Sequence, residues 1–401
     1  MAGSESLILL QIFAIFVAAK VVGGIAGWLR IPSVVGEISA GVILGNTFLK
    51  DALKFSSETE ILAVLAELGV IFLIFTVGLE TPLQEMRRVG GTSLVVAILG
   101  VIVPFVAGYG IMAYLGAPTL EGLFLGAALV ATSVGITARV LADLGVIGST
   151  EARIILGAAV IDDILGLTIL TIVQALAAGG DVSALRIGIV VVEALAFVAI
   201  FMFLGERVVT SVLRPKKSPR WGWVNSKSTV FTIAIIFLFG LSALAGTIGL
   251  AAIIGAFLAG MAFASTPDRA HLIHEFETLV KFLVPFFFVY IGLNVDLAVL
   301  APVAPFALAV TAVAIFTKVA GCGLGAIGRG LPSATAIGIG MVPRGEVGII
   351  VALVGLSLAS IPTSLYAVVV AMSILTTLVA PPALVWSFRR LPEHADNKPA
   401  A

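Results

Sequence analysis

The sequence predicts an all-α integral membrane protein of about thirteen transmembrane helices, built as an inverted repeat with two broken, crossing helices. Three observations predict it. Hydrophobic residues make up 60% of the 401 residues and charged residues only 11%, where a soluble chain carries about 25% charged residues. Apolar runs near the ~20 residues needed to cross a hydrocarbon core recur from one end of the chain to the other. Two of those runs, at corresponding positions in the two halves, are interrupted by hydroxyl residues, proline or charge.

Composition narrows the partners. The mean hydropathy is +1.18, and 43 glycines and 17 prolines sit mostly inside apolar runs, where membrane helices tolerate them. Formal net charge is zero, so global charge points to no nucleic-acid partner. The single cysteine, Cys322, excludes an internal disulfide and any cysteine-based metal cluster.

In chain order the predicted spans lie near 6–28, 32–48, 61–79, 91–114, 118–139, 152–178, 184–208, 228–245, 248–264, 278–293, 299–327, 331–357 and 364–387. The first run lacks a preceding basic region and a small-residue cleavage site, so it reads as a retained span and not a removable signal. Loop charge then sets orientation. With the N-terminus outside and the C-terminus inside, cytoplasmic segments hold Arg30, Arg87, Arg88, Arg139, Arg153, Arg207, Arg214, Lys216, Lys217, Arg220, Lys227, Arg269, Lys281, Arg329, Arg389, Arg390 and Lys398. The opposite side holds Lys50, Lys54 and Arg186, an imbalance of 17 to 3 that follows the positive-inside rule. The most polar linker, 206–227, follows the seventh span. Six spans precede that helix and six follow, so the halves enter the membrane with opposite polarity. A short cytoplasmic tail, 391–401, and no soluble domain are expected after the last span.

Charges inside spans cost ~2.5–3.5 kcal/mol each on insertion scales, so each needs a reason. The candidates are Lys20, Glu37, Glu67, Asp162, Asp163, Glu193, Lys318, Arg344 and Glu346. Asp162 and Asp163 stand in an apolar stretch. Neighbours on a helix point about 100° apart, so the two face different surroundings. Burial and mutual repulsion both disfavour the doubly ionised pair. A carboxylate there holds a proton or a small cation, but not both well, which is the simplest chemistry of exchange. The competing reading is a pair buried only to bind one helix to its neighbours. Lys318 and Asp162 each lie about ten residues from the cytoplasmic end of their spans, ~15 Å deep at 1.5 Å per residue. A Lys318–Asp162 ion pair is therefore expected, leaving Asp163 as the principal cation and proton site. The alternative is a lysine that snorkels to the surface.

The fifth span breaks at Thr132 and Ser133, the twelfth at Pro343 and Gly345 with Arg344 and Glu346 beside them. Half-helix ends and freed carbonyls coordinate ions in many secondary transporters. Thr132 and Ser133 offer oxygens to a hard cation, and with Asp163 they form the expected Na⁺ ligand set. Arg344 and Glu346 are expected to neutralise the helix ends. Gly321, Gly323, Gly325 and Gly328 read as a helix-packing face, not a dinucleotide loop. His271 and His274 read as part of a solvated cytoplasmic loop, with pH sensing as the alternative. Glu67 lines a cavity or pairs with a neighbouring helix; Lys20 and Glu193 pair or snorkel.

At these residues the chain resembles bacterial sodium/proton antiporters of the monovalent cation:proton antiporter-2 family, of the NapA kind. The matching segments are Ala131–Arg139, Ile154–Asp163 and Pro343–Gly348, with Gly36-Glu37 and Val77–Glu80 similar too. The resemblance implies thirteen spans and an antiporter fold in which a core domain moves, elevator-like, against a dimerisation domain. It places the dimerisation domain at 1–79 and 228–293, the core at 91–178 and 299–390, and a linker helix and loop at 184–227. It implies that Asp163 is the essential ion-binding acid and that Asp162 pairs with Lys318, the arrangement of the electrogenic, sodium-selective branch. It implies a homodimer in a prokaryotic cytoplasmic membrane, with no cofactor, no catalytic residues and no enzyme activity.

The first reading is therefore electrogenic exchange of Na⁺, or Li⁺, for H⁺. K⁺/H⁺ exchange on the same fold is the second. A gated cation channel is the third, disfavoured because two broken helices around one acidic site suit a carrier better than a continuous pore. A non-transporting sensor is the fourth, and no signalling domain supports it.

Overall fold

The structure, a computed structural model, describes residues 2–29, 32–53, 55, 60–177, 184–213, 227–248, 250–295 and 297–391. Arg30, Lys54, Arg214, Lys216, Lys217, Arg220, Lys398, most of the polar linker and nearly all of the tail lie outside the described residues, as do the side chains of Arg87, Arg186, Lys227 and Glu346.

Every ordered element is helical among the described residues, which is what lipid demands of a backbone that must satisfy its own polar groups. The helices are α1 (Ala2–Trp28), α2 (Ser33–Asn46), α3 (Phe48–Ala52), α4 (Glu60–Leu79), α5 (Leu83–Tyr114), α6 (Thr119–Val130), α7 (Val134–Asp143), α8 (Thr150–Ala177) and α9 (Ala184–Leu213). They continue as α10 (Lys227–Thr247), α11 (Ala252–Phe263), α12 (Arg269–Leu293), α13 (Leu297–Leu300), α14 (Ala304–Gly325), α15 (Leu331–Gly340), α16 (Glu346–Ser357) and α17 (Thr363–Phe388). Among the described residues, 9 stretches are long and apolar enough to cross a membrane, one of them running through the break between α6 and α7. Shorter apolar helices occupy 33–46, 192–201, 252–263, 331–340 and 347–356.

Most predicted spans coincide with helices to within a few residues. The tenth differs. α12 begins at Arg269, nine residues before the predicted 278, so His271 and His274 lie in a helix and not in a loop. The polar extension is held by contacts one turn apart: Lys281 Nζ to Glu277 Oε2 at 3.0 Å, and His271 Nδ1 to Glu275 Oε1 at 3.9 Å. Hydropathy ends a span where charge begins; the helix does not.

Two sets of helices emerge from the packing. α4 lies along α11 and α12, α2 against α1 and α12, and α10 and α9 against α11. In the second set α5 packs on α6, α8 and α14; α14 packs on α15 and α17, and α16 on α17 and α6. The sets touch where α7 meets α4 and α2, where α17 meets α2, and where α8 meets α9.

Close backbone approach holds each set together. A Cβ at Gly41 on α2 would stand 2.8 Å from Gly292 Cα and 2.9 Å from Leu293 N on α12. In the second set, a Cβ at Gly321 would lie 2.6 Å from the Leu99 carbonyl and one at Gly325 2.7 Å from Val96 Cα, so these glycines of α14 are a packing face against α5. Gly41→Val must push α2 off α12. Its expected cost is ~1–3 kcal/mol, read as a lower melting temperature of the purified protein; an unchanged melting curve would show that the contact is dispensable.

Candidate functional site

The two interrupted spans break where the sequence places the breaks, and the freed backbone groups account for the site. α6 stops at Val130 and α7 starts at Val134; α15 stops at Gly340 and α16 starts at Glu346. The breaks are joined directly: Ser133 N–H donates to the Pro343 carbonyl at 2.7 Å, and the Thr132 hydroxyl to the Met341 carbonyl at 3.3 Å. Thr137, one turn into α7, donates its hydroxyl to the Gly340 carbonyl at 2.7 Å.

Each break orphans carbonyls at the C-terminal ends of α6 and α15, where partial negative charge accumulates. Two buried cations take them. Arg344, 0% exposed, donates through Nη1 to Met341 O at 3.1 Å and Val342 O at 2.6 Å, and through Nη2 to Leu129 O at 2.8 Å and, at a long 3.4 Å, Ala314 O. Its own backbone is held by α17: Arg344 N–H donates to Thr376 Oγ1 at 3.2 Å, and the Thr377 hydroxyl donates to Arg344 O at 2.6 Å. Lys318 Nζ donates to Val130 O at 2.7 Å, the next carbonyl along at the end of α6.

Lys318 meets two further partners. Its Nζ lies 3.0 Å and 3.2 Å from the two oxygens of Asp162, and both side chains are fully buried. It also donates to Gly100 O on α5 at 2.9 Å. That carbonyl is available because Pro104, four residues on inside α5, has no N–H to claim it. Glycine at 100 also leaves room, since a Cβ there would stand 2.5 Å from Cys322 Sγ and 3.7 Å from Lys318 Nζ. The same device recurs in α12, where Pro285 frees the Lys281 carbonyl that Lys20 Nζ approaches at 3.5 Å.

Asp163 points elsewhere, as a neighbour on a helix must. With Ile74, Val134, Leu156, Val160, Ile254 and Phe257 it borders a cavity of about 10 Å³, room for a single water. Val134 is the first residue of α7, so the carboxyl lies near the positive end of that half-helix. Glu346 is the first residue of α16, also a favourable position for an acid. The Ser133 hydroxyl is buried without a hydrogen-bond partner, and so is that of Ser373 on α17.

A larger cavity, about 620 Å³, lies between α4, α12, α16 and α17. Glu67, Tyr290, Asn294, Arg344, Gly345 and Ser373 are among the residues that line it. Glu67 is thus a cavity-lining residue. Glu193 is exposed on α9. Beyond the last turn of α4, burial raises the Glu80 carboxyl above its ordinary range, against the pull of the Arg269 guanidinium.

Sequence reasoning passed over Pro104, Gly100, Thr137, Ser373, Thr376 and Thr377. The prolines carried a usable signal, a freed carbonyl four residues upstream. The hydroxyls did not, because Ser and Thr in membrane helices routinely bond back to their own helix.

Known proteins resemble this chain along most of its length. The pattern described as "Sodium/hydrogen exchanger, transmembrane" matches residues 13–390. The chain belongs to the sodium/hydrogen exchanger family. This exchanger is 35% identical to the high-affinity Na⁺/H⁺ antiporter NhaS3 of Synechocystis sp., across 98% of its own length and 92% of that protein's. It is 35% identical to the Na⁺/H⁺-K⁺ antiporter GerN of Bacillus cereus, across 94% and 95% of the two chains. Its fold matches the solved structure of the sodium proton antiporter MjNhaP1 from Methanocaldococcus jannaschii with a TM-score of 0.68 at 18% identity, covering 95% and 98% of the two chains. The exchanger is therefore a multi-pass membrane protein and a monovalent cation:proton antiporter, of a family of transporters.

Proposed function

We propose that this exchanger carries Na⁺ in one direction and H⁺ in the other, electrogenically, by alternating access. The observation that carries the reading is the fully buried Lys318–Asp162 pair beside Asp163, where the two broken helices are joined. Asp163 is the acid that holds Na⁺ or protons in turn. Thr132 and Ser133 supply oxygens beside it; the unpartnered Ser133 hydroxyl supports this, since an oxygen with no protein partner is free for an ion or its water. Lys318 and Arg344 neutralise the carbonyl ends of α6 and α15, and Glu346 the amide end of α16. When Na⁺ takes Asp163, Asp162 and Lys318 remain as a neutral pair or separate with loss of a proton. The second course moves net charge and lets the membrane potential do work, ~2.3 kcal/mol per charge per 100 mV.

The two packing sets correspond on this reading to a moving core, built from α5–α8 and α14–α17, and a dimerisation domain built from α1, α2, α4 and α10–α12. Their thirteen membrane crossings, two of them broken and crossing one another, run from an outside N-terminus to an inside C-terminus of a homodimer in a prokaryotic cytoplasmic membrane. No cofactor takes part.

The experiment is cation-evoked collapse of a pH gradient in proteoliposomes, with Na⁺, Li⁺ and K⁺ compared. Collapse by Na⁺ and not K⁺ is expected. A second reading, exchange that includes K⁺, is favoured by the 35% identity to an Na⁺/H⁺-K⁺ antiporter; collapse by K⁺ would select it. Collapse by no cation would end both.

A further inference from the structure

Glu37 has no role in the cycle above, yet its position is costly. It lies in the second turn of α2, 4% exposed, and its Oε2 has no hydrogen-bond partner. α1 and α2 meet backbone to backbone there: a Cβ on Gly36 would stand 2.6 Å from the Val22 carbonyl and 2.7 Å from Gly23 Cα. The Glu37 side chain is consequently laid against Gly23, where a Cβ would stand 3.5 Å from its Cγ and 3.9 Å from its Oε1. An ionised carboxylate with an unpaired oxygen at this burial is strongly disfavoured; a proton or an approaching cation removes the penalty.

The cation is close by, on the other side of the seam between the two helix sets. Arg139 of α7 pairs within its own helix, Nε to Asp143 at 3.1 Å, with side chains 17% and 38% exposed. Exposed pairs of this kind are weak. α7 touches α2 through the Ser33 hydroxyl, which donates to Asp143 Oδ2 at 3.4 Å. The charged groups near enough to act on Glu37 are Arg139 and Asp143 from α7 and Lys20 from α1. α3, α12 and α17 also pack on α2 and, among the described residues, add no charged group that acts on it. Glu37 and Arg139 do not form an ion pair in this structure.

We propose that Glu37 is a second proton-binding site, separate from the Asp162–Asp163 centre, and that it acts as a proton-operated latch on the seam between α2 and α7. In the present arrangement it holds a proton. In the alternate arrangement the proton leaves to water, Arg139 turns from Asp143, and the Glu37–Arg139 pair ties α7 to α2. The latch rests on the reading that the two helix sets move against each other; the protonation of Glu37 here does not.

Infrared difference spectroscopy of the reconstituted full-length protein tests the two parts separately, alongside transport. A protonated-carboxyl C=O band at neutral pH is expected to vanish in Glu37→Gln and to persist in Asp163→Asn; no band assignable to Glu37 would overturn the proton site. In transport, Glu37→Gln and Arg139→Gln should each slow turnover about fivefold or more, the low end of conformational coupling. The double variant should be no slower than the slower single one, and Glu37→Asp should recover part of the rate. Effects that multiply in the double variant, with all proteins melting like wild type, would overturn the latch. Wild-type protein that exchanges no cation would remove the transport reading while leaving the infrared band to decide the site.

Discussion

Asp163→Asn is expected to abolish cation-evoked proton movement while leaving the protein folded. The asparagine is nearly isosteric and cannot ionise, so it neither releases a proton nor offers full negative charge to a cation. The side chain borders a cavity of only about 10 Å³, and the amide keeps its size and its capacity to hydrogen-bond, so the fold should be retained. The measurement is Na⁺-driven collapse of a pH gradient in proteoliposomes, with the melting temperature as control. The expected rate falls at least ~100-fold, to the background of empty vesicles, on the scale of losing a transition-limiting charge interaction of ~2.7 kcal/mol. Residual exchange at a tenth of wild type would move the essential charge to Asp162.

Lys318→Ala is expected to have the largest effect on stability. It leaves the Asp162 carboxyl buried without its cation, and strips the donor from Gly100 O and Val130 O together. Breaking a buried pair from one side costs ~3–5 kcal/mol. Adding Asp162→Asn removes the stranded carboxyl and should return a sizeable part of the lost stability, because replacing both partners is far milder than removing one. Thermal melts of the single and double variants decide it: a double variant as unstable as Lys318→Ala would show that the carbonyl contacts, and not the ion pair, carry the cost. On the transport side, a folded double variant should lose dependence on membrane potential; unchanged dependence would take Lys318 and Asp162 out of the charge-carrying step.

Much of this was legible in the sequence because lipid leaves the backbone few options. Apolar runs had to be helices, so hydropathy placed them, and it erred where a helix continues past the apolar run, as at Arg269–Glu277 of α12. The chemistry was legible for a related reason. Asp162, Asp163, Lys318 and Arg344 stand out because charge in an apolar span is expensive, and depth arithmetic was enough to suggest which two would meet. Their finer surroundings were not legible. That Arg344 serves the ends of both α6 and α15 depends on how two segments some two hundred residues apart come together. Thr376 and Thr377 look like ordinary hydroxyls of an apolar helix until Arg344 is placed beside them. Glu37 was visible as a charge, but its unsatisfied oxygen is a property of the α1–α2 contact.

The unequal cavities carry a thermodynamic consequence. A volume of about 620 Å³ beside α16 and α17 has room for on the order of 20 waters at ~30 Å³ each, against one beside Asp163. A cycle that closes the large cavity must return to bulk whatever water fills it. Solutes too big to enter withdraw water from the cavity and favour its closure, so osmotic pressure is a thermodynamic coordinate of the transporter alongside pH and voltage.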